Sequence, residues 1–252
     1  MGVIVVKMGG IASDNLDQSF FNQIKKWQAN GKQVVIVHGG GYYISEMMTR
    51  LGQKVQIKNG LRVTDSSALD VTRMVLLGQV QPLITTKFLS EGFHALGLSA
   101  GSDQLIQGVF LNEAELGFVG KVTNVNHPLL KLLLEKNHIP IIAPLGITES
   151  GQWLNINADE VACKVAAALH AEALYLLTDV PGICRKGEWL TEVAAPEVTE
   201  LIRQKVITGG MLPKVHGAQK ALLAGVKSVC INNSIVTKGT QLLTKECAQV
   251  KA

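Results

Sequence analysis

The chain has 252 residues, 47% of them hydrophobic and 17% charged. That is apolar material for one large domain or two small ones on a shared sheet, and it excludes disorder over most of the length. Twenty-four Lys and Arg against 20 Asp and Glu leave +4 with no basic run. Such a balance argues against a dedicated nucleic-acid binder and suits a small anionic ligand held by a few local cations. No run approaches the roughly 18 uncharged apolar residues of a membrane span, and the opening MGVIVVKMGG has no signal-peptide pattern. Cys163, Cys184, Cys230 and Cys247 are widely spaced and form no CxxC pair, so a cytoplasmic protein with reduced thiols is expected.

Val3–Val6 is a short β-branched run and reads as a buried strand. Leu16–Ala29 has helical spacing and stops at Asn30-Gly31. Gln33–Val37 is a second buried strand, and Tyr42–Leu51 a second helix ending at Gly52. This alternation predicts a mostly parallel sheet with helices on both faces. Val55–Val63 reads as a hairpin around Asn59-Gly60. Ser66–Leu77 and Leu83–Glu91 are read as two helices separated by Gly78 and Pro82. A strand over His94–Leu98 follows, then further strands and turns within Leu105–Val125, a helix over Leu129–Asn137 and a strand over Ile139–Ala143. Ala158–Leu169 is a helix capped by Asn157 or a neighbour. A strand over Ala173–Leu177, helices over Pro196–Gln204 and Met211–Leu223, and a last strand over Lys227–Ile231 complete the reading. No repeat or linker divides the chain. The softest boundary lies near 145–155, giving lobes of 1–150 and 151–252 on one continuous sheet.

Neither GxxxxGK[ST] nor a GxGxxG after a strand is present, so a P-loop and a dinucleotide fingerprint are excluded. Instead glycine clusters follow strands: Lys7-Met8-Gly9-Gly10 after the first, His38-Gly39-Gly40-Gly41 after the second. Glycine lets a ligand approach backbone N–H groups, helix N-termini favour anions, and ligands of parallel sheets collect at strand carboxyl ends. Two neighbouring phosphate cradles are the functional expectation; ordinary βα turns are the structural one. Lys214 follows Gly209-Gly210 in a first helical turn, where a cation opposes the helix dipole unless an anion is near. Asp159 opens a helix, where carboxylates also serve as plain caps. Arg62 follows the Asn-Gly turn and offers a fork to a carboxylate. His38, His216 and the other histidines have no metal-ligand spacing and read as structural. Gly97-Leu98-Ser99-Ala100-Gly101 spells GxSxG, but a hydrolase needs that serine on a strand-to-helix elbow.

Taken together, KMGG at 7–10, VIVHGGG at 35–41, NGLRVTD at 59–65, NINAD at 155–159, LLTDVPGI at 176–183 and GGMLPKV at 209–215 resemble the amino acid kinase family from Val3 to about Ile231. The NGLRVT string resembles the branch that acts on N-acetyl-L-glutamate. The resemblance implies a three-layer αβα sandwich around a mainly parallel sheet, with a substrate lobe followed by a nucleotide lobe. It implies ATP-dependent phosphorylation of the side-chain carboxylate of N-acetyl-L-glutamate, the second step of arginine synthesis, with Mg2+ carried mainly by the nucleotide, and a homodimer. Lys7 and Lys214 match the lysines that stabilise the transferring phosphoryl group, and Asp159 the aspartate that orients them. Gly9, Gly10, Gly40 and Gly41 match phosphate-contacting backbone, Gly40 and Gly41 from the substrate side. Arg62 and Asn155 match groups that hold the substrate's α-carboxylate. Thr178, Asp179, Gly182, Gly209 and Met211 lie in segments that flank the nucleotide.

Gln81-Pro82 stands where relatives usually carry Asn-Lys, and Ser99-Ala100-Gly101-Ser102-Asp103 is a loose form of a glycine-rich stretch of the family. The sequence begins at its first strand without the extra helix of arginine-inhibited hexameric relatives, so a dimer without strong arginine feedback is expected. The alternatives are a same-fold kinase for another acidic acyl amino acid, such as a carrier-linked aminoadipate, and a non-catalytic nucleotide binder. A dehydrogenase is disfavoured by the missing GxGxxG.

Overall fold

The computed structural model describes residues 2–9 and 16–244. Gly10 and Cys247 therefore lie outside the described residues. The β-branched runs form β1 (Val3–Met8) and β2 (Gln33–His38), joined by α1 (Gln18–Ala29). That helix starts at Gln18, not Leu16, because the Asp17 carboxylate accepts from the Phe20 N–H at 2.9 Å and caps it there. α2 (Gly41–Arg50) begins at the last glycine of the triplet. The expected hairpin is present as β3 (Ile57–Lys58) and β4 (Leu61–Arg62). Asn59 at φ 51° and Gly60 at φ 78° make the left-handed two-residue turn that matches strand twist.

Gly78 and Pro82 do not separate two helices. α3 (Ser66–Val75) runs through a π turn (Leu76–Val80) directly into α4 (Gln81–Ser90). Pro82 has no N–H, and its ring would collide with the carbonyl four residues back in an α-helix. The wider turn, in which the Gln81 N–H reaches the Leu76 carbonyl, absorbs this without ending the helix.

The remaining elements are β5 (Ala95–Leu98), β6 (Ile106–Phe110), α5 (Glu113–Leu116), β7 (Val119–Val125), α6 (His127–Glu135), β8 (Ile139–Ile142), β9 (Leu145–Ile147), β10 (Trp153–Ile156), α7 (Ala158–Ala168) and β11 (Ala173–Leu177). They continue with β12 (Cys184–Arg185), β13 (Glu188–Trp189), β14 (Glu192–Ala194), α8 (Glu197–Arg203), α9 (Met211–Leu223), β15 (Ser228–Asn232) and β16 (Thr240–Leu243).

Eight strands form the main sheet in the order β14-β16-β15-β11-β1-β2-β8-β5. Every neighbouring pair is parallel except β15–β16. A second unit, β10-β7-β6-β9, closes into a small barrel. Gly120 and Gly146 leave room in it: an added Cβ would stand 2.7 Å from Leu154 and 2.4 Å from Ile156. The proposed boundary near 145–155 falls on the β9–β10 pair of this barrel.

Side-chain alternation sorts the core into two layers. Ile4, Val6, Met8, Val34 and Ile36 pack with the helices α1 to α4. Val5, Val35 and Val37 pack on the other face with α6, α7 and α9. The result is helix, sheet, helix, as expected for a parallel sheet buried on both sides.

Candidate active site

Lys7 shares its face of β1 with Val5, so alternation turns its ammonium toward α7 and α9. It is only 7% exposed, a state lysine tolerates when paired. The pair is supplied by Asp159 in the first turn of α7. Asn157 caps that helix by accepting from the Asp159 and Glu160 N–H groups at 2.8 and 3.2 Å. Glu160 in turn accepts from the Val122 N–H at 2.8 Å, which ties α7 to β7.

Lys7 Nζ lies 2.9 Å from Asp159 Oδ1, and Lys214 Nζ donates to Asp159 Oδ2 at 2.7 Å. One carboxylate thus holds two ammonium heads that come from a strand and from the start of α9. Burial alone would raise the Asp159 carboxyl; Lys7 and Lys214 outweigh it and hold the group below the ordinary aspartate value.

These three residues line a cleft of about 350 Å³ together with Gly39, Gly40, Gly41, Arg62 and Asn155. Three cations against one carboxylate leave its wall with two net positive charges, Lys7, Lys214 and Arg62 less Asp159. Arg62 lies across the start of α2. It donates to the Gly41 carbonyl at 2.9 Å and to Ser45 Oγ at 2.7 Å. Half burial lowers its guanidinium from the usual arginine value, and it stays cationic near neutrality. Asn155 donates to Thr64 Oγ1 at 3.0 Å, and that hydroxyl donates to the Arg62 carbonyl at 2.8 Å. Thr64 therefore couples the two expected substrate-side residues. It was not singled out in the sequence, although it sits inside NGLRVTD. Leu76 on the π turn and Ile44 of α2 are apolar wall that no motif announced.

A second cleft of about 340 Å³ is lined by Gly9, Thr178, Asp179, Asn233 and Ser234. A Cβ added at Gly9 would lie 4.0 Å from Lys7 Nζ, so the lysine head stands where the two clefts approach each other. Gly182, Gly209 and Met211 line neither cleft. Gly182 serves a close approach, since an added Cβ would stand 2.3 Å from Thr240 Oγ1. Gly209, at φ 54°, makes the left-handed turn into α9, and Met211 is its first residue, packed partly on the core. Ser99 follows β5 in a turn that leads to β6, so no strand-to-helix elbow forms there.

Residues 2–233 match the pattern of the amino acid kinase family. The chain belongs to that family. It is 53% identical over 242 residues to the acetylglutamate kinase of Listeria monocytogenes serotype 4b (strain F2365), covering 96% of this chain and 97% of that one. It is 45% identical over 241 residues to the acetylglutamate kinase of Lactiplantibacillus plantarum, covering 96% and 97%. Among solved structures, a Streptococcus mutans UA159 protein superimposes with a TM-score of 0.91 at 39% identity, over 96% of this chain and 99% of that one. Carbamate kinase from Giardia lamblia shares the fold at a TM-score of 0.72 and 17% identity, over 97% and 99%. Among the described residues no helix is long and apolar enough to cross a membrane.

Proposed function

We propose that this kinase moves the γ-phosphoryl group of ATP onto the side-chain carboxylate of N-acetyl-L-glutamate. A carboxylate oxygen attacks phosphorus, the bond to the β-phosphate oxygen breaks, and acyl phosphate and ADP leave. This is the second step of arginine synthesis. The observation that carries the reading is the pair of lysine heads on the two oxygens of Asp159 in the wall of the first cleft. The identity to acetylglutamate kinases over nearly the whole chain supports the substrate.

The acceptor has an ordinary carboxyl value of about 4.3, so it is already ionised and needs no base. The difficulty is bringing one anion against another. Lys7 and Lys214 neutralise the equatorial oxygens, and the Gly9, Gly40 and Gly41 backbone donates to them from either side. Gly10 has the same assignment but lies outside the described residues. Asp159 spaces the two lysines and takes no proton. Arg62 and Asn155 hold the α-carboxylate of the substrate. Thr178 and Asp179 border the nucleotide; Gly182, Gly209 and Met211 shape the segments behind it.

Magnesium supplies charge neutralisation at the phosphates when bound. The cleft's one carboxylate is committed to two lysines, a donor set that fits a cation brought in on the nucleotide, with phosphate oxygens as its ligands. Residues 1–150 form the substrate lobe and 151–252 the nucleotide lobe. A cytoplasmic homodimer completes the proposal. The β5 edge of the sheet, with Leu96 exposed there and Leu83 and Leu89 exposed on α4, supports a self-association face. Sedimentation at the monomer mass would remove the dimer.

Trapping the acyl phosphate with hydroxylamine tests the reaction. Hydroxamate is expected with N-acetyl-L-glutamate and ATP. Product from glutamate or aspartate alone assigns a different acidic acceptor.

A further inference from the structure

His38 ends β2 and is fully enclosed. Val34 and Ile36 of the same strand face the α1–α4 layer, so alternation turns His38 there too, away from Lys7. Its Nδ1 stands 2.8 Å from the Gly39 carbonyl oxygen. A carbonyl only accepts, so the proton sits on Nδ1. Nε2 is then a bare acceptor, and among the described residues nothing donates to it. An unpartnered buried acceptor costs about 1–3 kcal/mol, a penalty that an apolar residue would avoid. Burial also drives the imidazole down to about 4, which keeps the ring neutral near physiological pH.

The peptide unit is planar and trans, so the Gly39 carbonyl and the Gly40 N–H point in opposite directions. Fixing one aims the other. The Gly39 N–H is already held by the Met8 carbonyl at 2.8 Å, and the Gly40 carbonyl by the Ile44 N–H at 3.0 Å. Among the described residues no acceptor takes the Gly40 N–H, and Gly40 lines the cleft. Leu76 packs against the turn, 2.5 Å from where a Gly40 Cβ would be.

We infer that His38 is a positioning residue, which locks the Gly39–Gly40 peptide so that the Gly40 N–H is presented to an anionic oxygen in the cleft. That oxygen belongs to the acceptor carboxylate or to the transferring phosphoryl group. The inference rests on the reading of this cleft as the acyl amino acid site.

Asparagine places an N–H where Nδ1–H stands; glutamine places it one atom farther out, near Nε2. His38→Gln is expected to lower kcat/KM for N-acetyl-L-glutamate by about 10-fold or more, the effect of misaimed donors. The loss falls in KM if the oxygen is the carboxylate's and in kcat if it is the phosphoryl group's. His38→Asn is expected to recover activity to within about 3-fold, because the donated bond is kept. Equal behaviour of the two variants overturns the inference. If His38→Gln does not fold, nitrogen-15 shifts of the wild-type imidazole decide: protonation at Nδ1 near neutral pH supports it, protonation at Nε2 overturns it. Arg62→Ala separates the two levels. An unchanged acceptor KM there defeats the reading of the cleft, whereas a raised KM beside a silent His38→Gln defeats only the role of His38.

Discussion

Asp159→Asn tests the charge arrangement most directly. Asparagine keeps the shape and removes the charge between two ammonium heads that now sit 2.9 and 2.7 Å from its oxygens. Heads on opposite oxygens of one carboxylate are on the order of 5 Å apart, and two unit charges there repel by about 3 kcal/mol at an effective dielectric near 20. Both side chains are mostly buried, at 9% and 17% exposure, so water screens little of this. The heads are expected to splay. If the full repulsion is spent on misplacing them, kcat falls by about 10²-fold. The KM for ATP is not expected to rise, because the cleft has become more positive. Steady-state ADP release with both substrates varied measures this, with thermal melting as the folding control. A kcat within about 3-fold of the wild type in a folded variant would refute the organising role of Asp159.

Arg62→Ala should raise the KM for the acyl amino acid by about 10-fold or more, the scale of a charge-assisted bond, and leave that for ATP nearly unchanged. A rise confined to ATP would reverse the assignment of the two clefts. Gly40→Ala places a Cβ 2.5 Å from Leu76 Cδ2 and should destabilise the fold by about 1–3 kcal/mol. Adding Leu76→Ala should recover part of that loss in urea unfolding; strict additivity would show that the two residues do not press on each other. The Asp159 carboxyl is held below its ordinary value, so its contribution to stability is complete above about pH 4–5 and lost as pH falls through the folded value. Asp159→Asn should therefore lose stability less steeply than the wild type on acidification, and parallel urea midpoints below pH 5 would contradict this.

The central strands were legible because β1 and β2 are buried on both faces and need continuous β-branched runs. The Asn59-Gly60 hairpin and the Asn157 cap were legible because local geometry alone demands those residues. The π turn was not. Gly78 and Pro82 are ordinary helix breakers, and the wider turn, with Leu76 and Val80 packed into the layer below, keeps the helix going. The barrel strands β6, β7 and β9 were blurred because Gly108, Gly120 and Gly146 interrupt the alternation, and β14 because it is short. Lys7, Asp159, Lys214, Arg62 and Asn155 come together from distant parts of the sequence, a convergence that spacing cannot give. The motif resemblance grouped them; the structure supplies the ion contacts, and it leaves Gly182, Gly209 and Met211 outside both clefts.

The seat of β1 has a consequence for biosynthesis. It is flanked by β2 and by β11, whose residues emerge from the ribosome far later. At about 5–20 residues per second, the nascent chain waits roughly ten to thirty seconds for Ala173–Leu177 to arrive. Until then one hydrogen-bonding edge of the earliest strand is bare, and Lys7 lacks its counter-ion until Asp159 has been made. Shielding of that edge by a chaperone during translation would raise yield without altering the finished enzyme.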